Sequence, residues 1–117
     1  MTMLSNRYEE HRPWGSFDLL TEDELTTVKF LNVLPLMRLS DQRHAKRSEY
    51  WIVLEGAGSV ILNGEEKPVS QGDEVEVPVG MWHRLVGGEK GMRVLEISFG
   101  TFEEDDIERR DDDFGRK

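Results

Sequence analysis

Four side chains in two short stretches have the types and spacing to hold a metal ion. Gln42 and His44 stand two residues apart, and Glu49 follows five later. His83 closes a second stretch, residues 72–83, just past the turn Pro78-Val79-Gly80. On a strand, residues i and i+2 point to one face. Gln42 and His44 then aim an amide oxygen and an imidazole nitrogen at a common point. Glu49 opens the next apolar run, which folds back beside them as an antiparallel partner. Two imidazoles, one carboxylate and one amide oxygen suit Zn, Mn, Co or Fe(II) better than a thiolate-seeking metal. Three or four protein ligands leave coordination positions open, as a catalytic metal requires.

The elements that must carry these ligands read as short strands. Residues 16–20 and 26–34 are strand candidates, the second rich in Thr, Val, Phe and Leu and stopped by Pro35. Residues 37–44 alternate Met37 and Leu39 with Arg38 and Ser40. The unbroken apolar run 50–54 calls for burial on both faces. Gly56-Ala57-Gly58 reads as a turn, Asn63-Gly64 as a hairpin tip, and residues 87–91 as a further tip. Residues 92–99 set Leu95, Ile97 and Phe99 on one face. Residues 1–12 look polar and loosely held, and Arg12-Pro13-Trp14-Gly15 is a turn with an aromatic anchor. Short strands at intervals of about ten residues mean an all-β antiparallel barrel or sandwich, with the ligands converging inside.

Composition bounds the rest. A chain of 117 residues is one domain, with a barrel over about 12–101 and an acidic tail over 102–117. Zero Cys excludes disulfides and fits the cytoplasm. The start of the chain has no charged segment leading into an apolar run, so no signal peptide is expected. Nor does any apolar run reach membrane-spanning length. Net charge −9 argues against nucleic acid or an anionic membrane as partner. Residues 103–113 hold eight acids against Arg109 and Arg110. That tail is either a solvated, repelling face, in one helical turn or an ordered tail, or a segment docked through Ile107 and Phe114.

The joint pattern resembles the two signature motifs of the cupin family. The first reads Gln42-x-His44, four residues, Glu49, six residues, Gly56, with Gln in the first His place. The second reads Gly72, five residues, Pro78-x-Gly80, two residues, His83, with Gly87 where Asn is usual. Within the cupins, residues 12–17, 42–44, 47–51, 78–85, 104–109 and 113–116 resemble the type II phosphomannose isomerase domain. In many bacteria that domain is the C-terminal part of a bifunctional enzyme whose other half is mannose-1-phosphate guanylyltransferase. Guanylyl transfer is not expected of these 117 residues, which lack its Gly-rich phosphate loop.

The resemblance implies a single-domain cupin barrel that interconverts mannose 6-phosphate and fructose 6-phosphate through an enediol. It implies a divalent metal (Zn, Co or Mn) held by Gln42, His44, Glu49 and His83. Glu49 and Lys46 are the candidate bases, and Arg12, Arg84 and Arg109 the candidate phosphate ligands, Arg109 foremost. Cupins often pair through their sheets, and the run 50–54 with Trp51 offers apolar surface, so a homodimer is expected. This sequence departs from the subfamily at Lys46, where a further His is common, at Leu36, where Gly usually follows the Pro, and at Asp41. The competing readings are a non-catalytic cupin that binds a sugar and regulates polysaccharide or nucleotide-sugar metabolism, and an iron dioxygenase. Gln42 disfavours the dioxygenase because it leaves the usual iron ligand set incomplete.

Overall fold

Two strands, β5 (Arg47–Leu62) and β8 (His83–Gly100), run antiparallel for almost their whole lengths and carry the molecule. The computed structural model describes residues 4–116, and these are all β and turn. In chain order the other strands are β1 (Tyr8–Arg12), β2 (Gly15–Leu19), β3 (Thr26–Val33), β4 (Asp41–Arg43), β6 (Glu65–Ser70), β7 (Glu74–Val77) and β9 (Glu108–Asp111). The end of β5 pairs with β6 and the start of β8 with β4, which in turn pairs with β9. The start of β5 and the end of β8 pair with β7 and β3. One ribbon thus contributes to two half-sheets, with the core between them: Val33, Trp51, Val53, Val77, Met92 and Val94 meet Val60, Val69 and Leu85.

The bend between the half-sheets lies where the sequence suggests a turn and a tip. Neither Gly56-Ala57-Gly58 nor residues 87–91 reverse the chain; both run through as strand, with register shifts at Val53/Glu55 and Gly56/Gly58. The glycines serve close approach instead. A Cβ on Gly56 would fall on the carbonyl oxygen of Gly91, and one on Gly58 on that of Val86. Gly87, at the usual Asn position, would meet the Leu34 carbonyl at 2.5 Å.

Alternation along the strands sorts the two faces. Trp51, Val53 and Val94 point into the core, while Tyr50 and Ile97 point outward. That outer face is covered by the N-terminal segment, so the run 50–54 has apolar cover on both sides. Leu4 packs on Tyr50 and Ile97, and Arg7 pairs with Glu74. The start of the chain is therefore docked from Leu4, while residues 1–3 lie outside the described residues. The tip residue Trp14 is 73% exposed rather than an anchor, on a β1–β2 hairpin that among the described residues pairs with no other strand.

The tail is neither helical nor simply solvated. Its β9 adds to the sheet beside β4. Glu103, Glu108, Asp111, Asp112 and Asp113 pair with Lys46, Arg43, Arg84, Arg116 and Arg38. Phe114, 61% exposed, is not a docking residue.

Candidate metal centre

β8 begins at His83, and Glu49 lies near the start of β5. Both are buried, with side chains facing the interior between the half-sheets. His44 sits in the short connection between β4 and β5. The Glu49 carboxylate lies 3.0 Å from His44 Nε2 and 3.5 Å from His83 Nε2. One ligand atom from each of the three lies within 4.8 Å of the others. Gln42 stands opposite His83 in the β4–β8 register, and its Nε2 donates to the Ser40 carbonyl at 3.4 Å. Its oxygen is thereby left for an electropositive partner.

The rings are oriented from behind. His44 Nδ1 lies 2.7 Å from the Asp106 carbonyl, and His83 Nδ1 lies 2.8 Å from the Met81 carbonyl. A carbonyl only accepts, so Nδ1 carries the hydrogen and Nε2 faces the site, the arrangement that metal-binding imidazoles adopt. Burial holds the His83 pKa below its ordinary value, against the pull of Glu49. A neutral ring then presents a lone pair to a buried carboxylate. A cation between them resolves that conflict, so these residues fit a metal ion.

A second carboxyl lies beside the first. Burial, and then the hydrogen bond to Glu49, push the Glu96 pKa up to about 8. Burial also opposes the charge on Glu49, but hydrogen bonds with His44 and Glu96 outweigh it and hold Glu49 at about 2. At neutral pH Glu96 keeps its proton and Glu49 is ionised. Trp51 Nε1 donates to Glu96 at 3.1 Å, and Lys29 Nζ lies 3.7 Å away.

These groups line a cavity of about 190 Å³ together with Lys29, Arg47, Arg109 and Arg116. Arg109 arrives from β9, where it stands opposite Gln42. Its buried Nε has no hydrogen-bond partner among the described residues, nor has the buried Ser40 Oγ in the same lining. Arg47 stacks on Phe102 with its Cζ 4.3 Å from the ring centre, and Lys29 Nζ lies 4.6 Å from the same ring. An acidic chain has thus gathered four cations around one small, partly polar cavity.

The structure brings Gln42, His44, Glu49, His83 and Arg109 to this cavity; it does not bring Lys46, Arg12 or Arg84. Lys46 is exposed, and its ammonium binds Glu103 at 3.0 Å, which raises its pKa rather than lowering it. Arg12 lies on the projecting hairpin, paired with Glu10. Arg84 follows His83 on the strand and so faces the other way, where it donates to the Leu39 carbonyl and to Asp111. Sequence reasoning missed Glu96, Lys29, Arg47 and Arg116. For Glu96 the sequence pattern pointed the wrong way: it alternates with Leu95 and Ile97, so it reads as the solvent face of a strand whose apolar side is inward. In fact Ile97 lies under the N-terminal segment, and Glu96 points in.

Comparison with known proteins agrees with this geometry. Residues 2–112 match the family described as "Mannose-6-phosphate isomerase C-terminal". The chain is 35% identical to a mannose-1-phosphate guanylyltransferase of Salmonella montevideo, over 97% of this chain and 26% of that protein. It is also 35% identical to the alginate biosynthesis protein AlgA of Pseudomonas aeruginosa, over 95% of this chain and 24% of that protein. The chain thus spans about a quarter of the length of these relatives. Among solved structures, the capsular polysaccharide assembling protein CapF from Staphylococcus aureus superposes with TM-score 0.66 at 19% identity. That match covers 88% of this chain and 34% of that one, and it speaks for the fold alone. Sequence match, cupin fold and buried His–Glu–His cluster agree: the chain belongs to the mannose-6-phosphate isomerase C-terminal family.

Proposed function

We propose that this chain is a cytoplasmic, metal-dependent sugar-phosphate isomerase domain that interconverts mannose 6-phosphate and fructose 6-phosphate through an enediol. One observation carries the reading: a buried two-His, one-carboxylate cluster and four cationic side chains line the same cavity. His44, Glu49 and His83, with the Gln42 oxygen, would hold Zn, Co or Mn. When bound, such an ion supplies charge to the sugar oxygens as the adjacent C–H is deprotonated. Arg109, with Arg47, Arg116 and Lys29, offers guanidinium and ammonium groups to the phosphate. Glu96 lines the cavity beside Glu49, and in its ionised form it would be the base that takes a proton from one carbon and returns it to the next.

A coupled assay tests the reading. Purified protein, stripped of metal and reloaded in turn with Zn, Co or Mn, is given mannose 6-phosphate, and fructose 6-phosphate is followed. Turnover is expected only with metal. His44→Ala is expected to lower it more than about 100-fold, because even the outer partners of a metal ligand are worth about 10–100-fold. A folded, metal-loaded sample that turns over nothing would sink the isomerase reading and leave a sugar-binding domain.

We also infer that the chain works as a homodimer. The Trp51 surface invoked above is spent inside, where Trp51 is 1% exposed. A different surface takes its place. Val28 and Phe30 are exposed on β3, which pairs only with β8, and the β1–β2 hairpin projects with Tyr8 and Trp14 uncovered. A two-stranded hairpin alone is marginal in water. A second copy can cover both surfaces reciprocally.

A further inference from the structure

His44 differs from the other two ligands in what holds it. Glu49 and His83 sit within paired strands, but β4 ends at Arg43 and β5 begins at Arg47. Residues 44–46 lie outside both strands, so contacts from elsewhere must set the His44 ring. The Gly80 N–H holds the His44 carbonyl at 2.9 Å, and three further contacts come from one tail residue. The Asp106 carboxylate accepts from the backbone N–H groups of Ala45 (2.9 Å) and Lys46 (3.0 Å), one to each oxygen. Its main-chain carbonyl meets His44 Nδ1 at 2.7 Å. Asp106 thus grips the connection by its side chain and the ligand ring by its backbone. Neighbouring tail contacts point the same way: Glu103 binds Lys46 through its carboxylate and Arg47 through its carbonyl. Beyond Asp106, the same tail carries Arg109 and Arg116 into the cavity.

We propose that Asp106 is a positioning residue for His44, and that docking of the tail and binding of the metal are thermodynamically coupled. This rests on the metal-centre reading above, not on the isomerase activity. The coupling is reciprocal by linkage: a docked tail raises metal affinity, and bound metal holds the tail down. The side chain matters because it keeps the carbonyl where the ring needs it. A carbonyl remains in any substitution, but without the carboxylate it loses its two direct ties to the backbone of residues 45 and 46 and is held only through Glu103.

The test uses the full chain and two readouts. Zn²⁺ affinity is measured by competition with a chromophoric chelator for the unaltered protein, Asp106→Ala, Asp106→Asn and Asp113→Ala. Asp113 pairs with Arg38 elsewhere in the tail and serves as the control. Asp106→Ala is expected to weaken Zn²⁺ binding about 10–100-fold, the range found for outer partners of metal ligands. Asp106→Asn keeps one acceptor oxygen and should fall between, and Asp113→Ala should bind as the unaltered protein does. In the second readout, Zn²⁺ should slow tryptic cutting at Arg109 and Arg110 in the unaltered protein and lose that protection in Asp106→Ala. If the unaltered protein binds no Zn²⁺, Co²⁺ or Mn²⁺, the metal-centre reading fails and takes this proposal with it. If it binds, and both Asp106 variants bind within twofold of it, the positioning role is overturned. Asp106→Asn decides the matter should Asp106→Ala not fold.

Discussion

Leu36 adopts φ +62°, a left-handed backbone conformation that costs an L-residue roughly 1–2 kcal/mol. The reason is local. The Met37 N–H bonds the Leu34 carbonyl at 3.1 Å, Pro35 takes the second place of this turn, and the third place requires positive φ. Gly is the residue that meets the requirement without strain, and Gly is what the resembled subfamily usually carries there. Leu36 is also 74% exposed, so it gains little burial in exchange. Leu36→Gly should therefore stabilise the fold by about 1 kcal/mol, since relief of strain exceeds the extra freedom of Gly in the unfolded chain. Thermal unfolding should show a rise of about 4 °C, and an unchanged or lower midpoint would refute the account. The cluster of His44, Glu49 and His83 was legible from motif spacing, although the strand geometry invoked for it was not met: β4 ends at Arg43, one residue before His44. Phosphate-binding candidates were not, because every Arg looks alike in sequence. Arg84 and Arg109 differ in what they meet: Arg84 donates to Asp111 and the Leu39 carbonyl, while Arg109 lines the cavity. Asp41 is a similar case: it departs from the usual residue because it pairs with Arg110 at 2.6 Å, a partner 69 residues away.

Between residue and molecule, the strands explain where a glycine pattern misled. Gly beside Gly or Ala usually marks a turn, and Asn63-Gly64 is one, with Asn63 at φ 49° and Gly64 at φ 83°. In the bends of β5 and β8, glycine serves instead to let two backbones touch. The two uses predict different penalties. At Gly64 a Cβ meets nothing within 4 Å, so Gly64→Ala should cost only the backbone preference, about 1 kcal/mol. At Gly58 a Cβ would collide with the Val86 carbonyl, which is backbone and has no flexible end to move. Gly58→Ala should cost about 3 kcal/mol or more, at the upper end of overpacking effects. Denaturant unfolding of the two variants side by side checks this, and equal losses would remove the close-approach explanation. Strand identity in most of the sheet was legible from β-branched runs. The continuity of β5 and β8 was not, because a bulge and a turn draw on the same residue.

At the scale of the whole molecule, the chain is longer in one direction than its core requires. Its extents are 51 × 32 × 22 Å, and the β1–β2 hairpin belongs to no larger sheet. Sedimentation at micromolar concentration should give the mass of two chains, and Trp14→Ser with Phe30→Ser should shift it toward one. A single-chain mass for the unaltered protein would end the homodimer reading. The described residues contain no helix long and apolar enough to cross a membrane. The bent ribbon has a further consequence, which concerns time rather than structure. β5 and β8 pair as one ladder from Leu62↔His83, nearest the connecting residues, out to Arg47↔Gly100. Each rung closes little extra chain once the rung before it has formed, so the ladder is expected to zip outward from His83. Glu49 pairs with Ser98 near the far end, and the His44 connection and tail lie beyond it. The ribbon supplies its first metal ligand at the start of that sequence and its last only after the fold has closed. An ion that bound there would find no complete site in a half-folded chain, and would act as a lock on the finished molecule rather than a seed for it.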